Sequence, residues 1–228
     1  MRKFLIPLMT LLLMESCLIK KNKNISPLAI DYPKVTAASE RFDISNLNKN
    51  DIKTNLVNKD TIYQLFRQDV YIEEYPQKNV IKSFSRSTGG DGNISGYDYS
   101  ANPILGVYKQ FYPNGNIMEK GGFCWFGFKM GQWFYFDQQG SIAKTVDSDA
   151  GYDFNYRSLF NYCEKNNIPL DKVTSGHRTS IYKKMVDGKK VWAIRYPRVD
   201  DFVYITILLD GSNGTLIKSE QAPFPREE

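Results

Sequence analysis

Two segments of this 228-residue chain share one pattern without a gap between equivalent positions. Gly106, Tyr108, Phe111, Gly115 and Ile117 recur as Gly131, Trp133, Phe136, Gly140 and Ile142, each 25 residues on (131 less 106, 142 less 117). The shared frame is Gly-x-aromatic-x-x-aromatic-x-x-x-Gly-x-Ile. A repeat of this size is one small supersecondary unit stacked on its copy, so it constrains architecture far more than chemistry.

Each copy reads as a β-hairpin. Aromatic side chains suit a pleated, half-buried strand. Pro113-Asn114-Gly115 and Gln138-Gln139-Gly140 supply the turns, each placing a glycine where φ can be positive. An isolated hairpin is marginal in water, so the copies should bury rings against one another. Two readings of the rings stay open: core of a β-meander, or an exposed face for a partner or glycan.

These residues, with Tyr112, Lys120-Gly121 and Lys129-Met130-Gly131-Gln132-Trp133, resemble the bacterial MORN-repeat variant family over about residues 104–146. The segment from Tyr75-Pro76 to Ile81 resembles a third, eroded copy. The resemblance implies a scaffold of β-hairpins; members are often labelled antitoxin-like, and no catalysis comes with the repeat. The chain departs from the family where Phe126-Gly127-Phe128 replaces a polar link. Apolar residues in such a link need a reason. Phe126, Phe128 and their neighbours Trp125, Trp133 and Tyr108 are therefore the candidate binding residues.

The amino terminus carries an address. Arg2-Lys3 is a basic n-region, and Phe4 to Met14 is an apolar stretch of 11 residues, too short to span a bilayer and suited to a signal h-region. It ends at Glu15-Ser16-Cys17 and resembles a bacterial lipoprotein signal, with Cys17 as the lipidation site. A plain secretory peptide with Cys17 a bystander is the other reading. Cleavage before Cys17 leaves 28 basic residues (30 less Arg2 and Lys3) against 24 acidic (25 less Glu15), a mild excess. Residues 1–17 thus form the signal, and 18–58, rich in Asn, Lys, Asp and Ser, a polar tether holding the fold off the membrane. Lys20, Lys21 and Lys23 lie beside the anchor and would favour anionic headgroups. No acidic run follows Cys17, which points to a periplasm-facing position in the cell envelope.

Residues 59–148 form the repeat region and 149–228 a second module. From Tyr156 to Cys163 apolar side chains fall at i, i+3, i+4 and i+7, a helix with one buried face that Asp153 or Asn155 can cap. Strands follow: Thr179 to Val186, a turn at Asp187-Gly188, Val191 to Tyr196, Val203 to Leu209, a turn over Asp210 to Gly214, and Thr215 to Lys218. A helix before antiparallel strands gives an α+β layer. The helix, Trp192-x-Ile194-x-Tyr196 and Leu209-Asp210-x-x-x-Gly214-x-Leu216-Ile217 resemble a PepSY-like domain. That resemblance implies a small extracytoplasmic module restraining peptidases or binding envelope partners. The expected class is α+β, mostly β: an antiparallel meander followed by a small helix-plus-sheet module.

The candidates for catalysis are sparse. His177 is the single histidine, and Cys124 or Cys163 would be its nucleophile, without a nucleophile elbow or orienting motif nearby. Cys124 and Cys163 read equally as a disulfide in an oxidising compartment or as two buried thiols. Asp91, Asn93 and Ser95 stand at the first, third and fifth places of a calcium loop, but the twelfth, Asn102, is not the bidentate glutamate that loop needs. Basic residues are interleaved with acids, so no nucleic-acid stripe forms. No cofactor and no metal are expected. The sequence therefore reads as a non-enzymatic, lipid-anchored envelope binding or scaffold protein. The alternatives are an antitoxin-like protein neutralising a toxin and, behind it, a hydrolase using His177.

Overall fold

In the computed structural model the 25-residue equivalence extends to individual hydrogen bonds. The structure describes residues 31, 33–48, 51–57, 60–67, 69–75, 80–87, 90–172 and 177–225. In the first copy Tyr112 N–H donates to Asn116 O and Gly115 N–H to Tyr112 O, both at 2.8 Å. In the second, Asp137 N–H donates to Ser141 O at 2.9 Å and Gly140 N–H to Asp137 O at 3.0 Å. Gly115 and Gly140 have φ of 86° and 87°, the left-handed region that excludes most side chains. The turns lie side by side: the Tyr112 hydroxyl donates to Phe136 O and the Asn116 amide to Gln138 O.

The copies are the last two hairpins of a nine-stranded antiparallel sheet whose strands neighbour one another in chain order. These are β1 (Asp51–Val57), β2 (Asp60–Arg67), β3 (Val70–Tyr75), β4 (Val80–Arg86) and β5 (Ile94–Asp98), then β6 (Leu105–Phe111), β7 (Ile117–Cys124), β8 (Phe128–Phe136) and β9 (Ile142–Asp147). The hairpin beside the repeat is β4–β5, whose first strand starts 25 residues before β6 (105 less 80). The segment Tyr75 to Ile81 is instead the β3–β4 connection, and its residues 76–79 lie outside the described residues.

Helix α1 (Tyr156–Lys165) follows, then a four-stranded antiparallel meander: β10 (Ser180–Val186), β11 (Lys189–Arg198), β12 (Val203–Asp210) and β13 (Leu216–Pro223). The Asn155 side chain caps α1 by accepting from the N–H groups of Arg157 and Ser158. Tyr156, Leu159, Phe160 and Cys163 form the buried face. Asp187 and Gly188 both take positive φ (47° and 74°), the two-residue turn that matches strand twist. The chain is thus mostly β, with one α-helix among the described residues. None of the described helices is long and apolar enough to cross a membrane.

Two sequence boundaries move. The tether expected over 18–58 gives way to folded chain by about residue 38, because residues 38–48 strap across the sheet. Phe42 N–H donates to Gly115 O, Ile117 N–H donates to Glu40 O, and Leu47 is fully buried. Strand β1 also precedes residue 59. Residues 1–30, with the signal and Cys17, lie outside the described residues. The line drawn at 148/149 is likewise no packing boundary. Leu105, Cys124, Phe126, Phe128 and Met130 of the large sheet share one core with α1 and with Ile181, Trp192, Ile194, Ile205, Ile207 and Leu209 of the small one.

Candidate functional site

Register divides the large sheet into two unlike faces. Strand side chains alternate, so residues directly opposite on neighbouring strands share a face. One face carries Ile94, Phe111 and Ile117 at the turn end and Leu105, Cys124, Phe128 and Met130 at the other. Both ends are covered, the first by the strap through Phe42, Ile44 and Leu47 and the second by α1 and the small sheet.

The opposite face carries a connected row of rings. Tyr97 lies opposite Tyr108, with ring centroids 5.2 Å apart. Tyr108 stacks on Trp133 at 5.7 Å and 22°, and Phe123 meets Tyr97 at 5.0 Å. Tyr99 turns the row toward Trp125 at 5.6 Å. Tyr97, Tyr108, Phe123, Trp125 and Tyr135 are half-buried, whereas Trp133 is 1% exposed. Trp133 sinks because Gly121 lies beneath it: a Cβ there would sit 2.2 Å from the indole. Its Nε1–H donates to Gly122 O at 3.2 Å.

Lysines cap this row. Lys129 Nζ stands 3.5 Å from the Trp133 ring centroid, Lys172 4.6 Å from Trp125, and Lys144 5.9 Å from Tyr135. Burial raises the phenols of Tyr97 and Tyr108, with the Glu119 carboxylate adding to the rise at Tyr108. Burial likewise drives Tyr99 far above the usual tyrosine value, helped by Cys124 and Tyr97. These rings stay neutral at physiological pH. Desolvation lowers the Lys172 ammonium. The face can therefore offer apolar edges, phenol hydroxyls and cations.

The five candidates from the sequence split between the faces. Tyr108, Trp125 and Trp133 lie on the open side. Phe126 and Phe128 do not: they are 4% and 2% exposed, packed edge-on against Phe160, with Phe128 also against Trp192 at 5.0 Å. The expectation that these two form a surface is corrected. Their reason for being apolar is the carboxy-terminal layer, which lands on this link, Ile181 N–H donating to Phe126 O at 2.8 Å. Tyr97, Phe123 and Tyr135 were not anticipated. The signal for Phe123 was its alternation with Trp125, since a period of two puts both on one face.

The other candidates are accounted for locally. His177 is exposed, its Nδ1 2.7 Å from the Tyr204 hydroxyl and its ring stacked on Phe224 at 3.7 Å, away from both cysteines' core. Cys124 and Cys163 are free buried thiols, both raised by burial, Cys163 to about 12. Asp91 accepts from the Asn93 backbone and side chain within the β4–β5 turn. Asn102, far from a ligand role, accepts from the N–H groups of Ile104 and Leu105. Among the described residues no three His, Cys, Asp or Glu side chains converge as a metal site.

Two lysines, Lys120 buried and Lys183 partly buried, tie distant segments together on the covered side of the sheet. Lys120, 1% exposed, stands opposite Lys109, and the strap supplies their counter-charge: Glu40 contacts both Nζ atoms at 2.5 Å, and Ala38 O accepts from Lys120 at 2.5 Å. Burial alone would raise the Glu40 carboxyl, but hydrogen bonds and charge from Lys109 and Lys120 hold it below the usual value. Lys183 on β10 donates to Lys129 O, Ser148 O and Asp149 Oδ1, with Tyr152 and Trp192 rings about it. Desolvation dominates there and lowers the ammonium despite Asp149. In comparison with known proteins, neither a protein-family model nor a curated protein matches the chain.

Proposed function

We propose that this chain is a non-enzymatic, lipid-anchored protein of the cell envelope that binds a protein or envelope polymer through its open aromatic face. One observation carries the reading: the strap and the carboxy-terminal layer cover one face of the sheet, while on the other Tyr97, Tyr108, Phe123 and Tyr135 stay half-buried, with only lysine side chains over the row. Aromatics with one apolar and one polar end are suited to such contacts. On this reading Cys17 carries the lipid, the residues after it reach from the bilayer to the strap, and the MORN-like hairpins with the PepSY-like module form the platform. The membrane is a partner through the lipid; nucleic acid is not.

The test has two arms. Labelling with a palmitate analogue should mark the native chain and not Cys17→Ala; an unlabelled native chain removes the anchor. A photo-crosslinking residue at Tyr135, in intact envelopes, should yield an adduct that the same probe at exposed Tyr182 does not. Equal or absent adducts at the two positions would refute the face as the binding surface.

A further inference from the structure

Strand β13 is an edge held from one side. All eight of its residues are exposed, Leu216 and Ile217 at 52% and 48%, and its pairing among the described residues is to β12 alone. The core ends one strand earlier, at Ile205, Ile207 and Leu209 of β12. Ordering a residue's backbone costs about 1–2 kcal/mol, and none of these eight side chains is buried to offset it. A bare edge of this length is also a template for another strand.

The charge pattern of β13 selects the strand that fits. Lys218 lies opposite Leu208 and Glu220 opposite Thr206, so both project from one face, and they form an ion pair with each other. In an antiparallel pairing of two copies with Ser219 opposite Ser219, Lys218 of each copy faces Glu220 of the other. Ile217 then faces Gln221. The regular ladder runs over 218–220 on both strands and is bounded by Ile217, the residue that the register shift at Leu208/Leu209 leaves without a partner on β12. The centre of the ladder falls beside the midpoint of Leu216–Pro223, so overlap is nearly complete.

We propose that β13 is a homodimer contact, joining two four-stranded sheets edge to edge about a twofold axis through Ser219. The interface is isologous, as such an axis requires, and both α1 helices lie on the same side of the resulting eight-stranded sheet. The edge strand β9 of the large sheet lacks this complementarity: centring it on Lys144 sets lysine against lysine, and centring it on Thr145 sets Lys144 against Val146. A ladder of three regular residues on each strand with no apolar centre belongs to the small, weak class of interfaces. It therefore forms where the local concentration is high, which, resting on the lipid-anchored reading above, is between chains held on one membrane.

Disulfide trapping of the full chain in membranes reads the register directly. Residues opposite in an antiparallel pair have Cα atoms about 4.5–5.5 Å apart, within disulfide reach. Ser219→Cys should give a disulfide-linked dimer on oxidation, while Gln221→Cys, facing Ile217, should not. Adding Lys218→Glu to Ser219→Cys should cut the dimer about tenfold, since two attractive cross-strand pairs become repulsive. Adding Glu220→Lys as well should restore it. A monomeric Ser219→Cys chain, equal trapping at Gln221→Cys, or no effect of the charge reversal would each overturn the proposal.

Discussion

Glu40→Gln should loosen the amino-terminal strap through an electrostatic effect 80 residues away in sequence. The substitution keeps the side-chain shape and removes the one carboxylate shared by Lys109 and Lys120. Lys120 is 1% exposed, so its ammonium would keep Ala38 O as an acceptor while facing Lys109 across the ladder without a counter-charge. Breaking a fully buried ion pair costs about 3–5 kcal/mol. The Glu40 side chain is 35% exposed, so water screens part of that, and about 2–3 kcal/mol is the expected loss. For a fold of this size that corresponds to a fall in Tm of about 5–10 °C. The native carboxyl is held below its unfolded value, so its contribution is present above the unfolded pKa and disappears as pH falls through the folded one. Urea titrations of native chain and Glu40→Gln, at neutral pH and near pH 3, would test both statements. The gap should be wide at neutral pH and close in acid. Lys120→Met should leave the chain with only a small response to Glu40→Gln, because the fully buried charge is gone and the remaining partner, Lys109, is partly exposed. A neutral-pH difference under about 0.5 kcal/mol would refute the counter-charge account.

Phe126→Ala and Phe128→Ala should each destabilise by about 3–5 kcal/mol by opening a cavity between the sheets, read by urea melts. Tyr135→Ser on the open face should cost less than about 1 kcal/mol and leave the fold intact. Gly121→Ala should displace the Trp133 indole, blue-to-red shifting its fluorescence and lowering Tm, because the new Cβ would overlap the ring. In a Cys17→Ser chain, Cys124 and Cys163 should ignore a thiol reagent at pH 8 until denaturant is added, since burial keeps both as thiols. Rapid native labelling would contradict their place in the core.

Much of the local structure was legible. Helix α1 followed from apolar residues at helical spacing plus Asn155, and the Asp187-Gly188 and Pro113-Asn114-Gly115 turns from residues that tolerate positive φ. The site was legible in part. Tyr108, Trp125 and Trp133 emerged from the repeat, yet the same argument drew in Phe126 and Phe128. An apolar link looks identical whether it faces solvent or a later layer of the fold. The strap was missed because 38–48 is polar in composition, and its anchoring residues, Phe42 and Leu47, have no periodicity to reveal them.

What the sequence determined by itself was everything governed by neighbours along the chain: hairpin period, turn position, helix face and the equivalence of Tyr108 and Trp133 in the repeat. Tertiary structure alone decided which face of the sheet stays open, because that depends on groups distant in sequence. Glu40 crosses to two lysines, α1 and β10–β13 fold back over Phe126 and Phe128, and Lys183 reaches Asp149 beneath them. Pattern fixes a strand's two faces; only packing energy, summed over segments that meet late, selects the one to be buried.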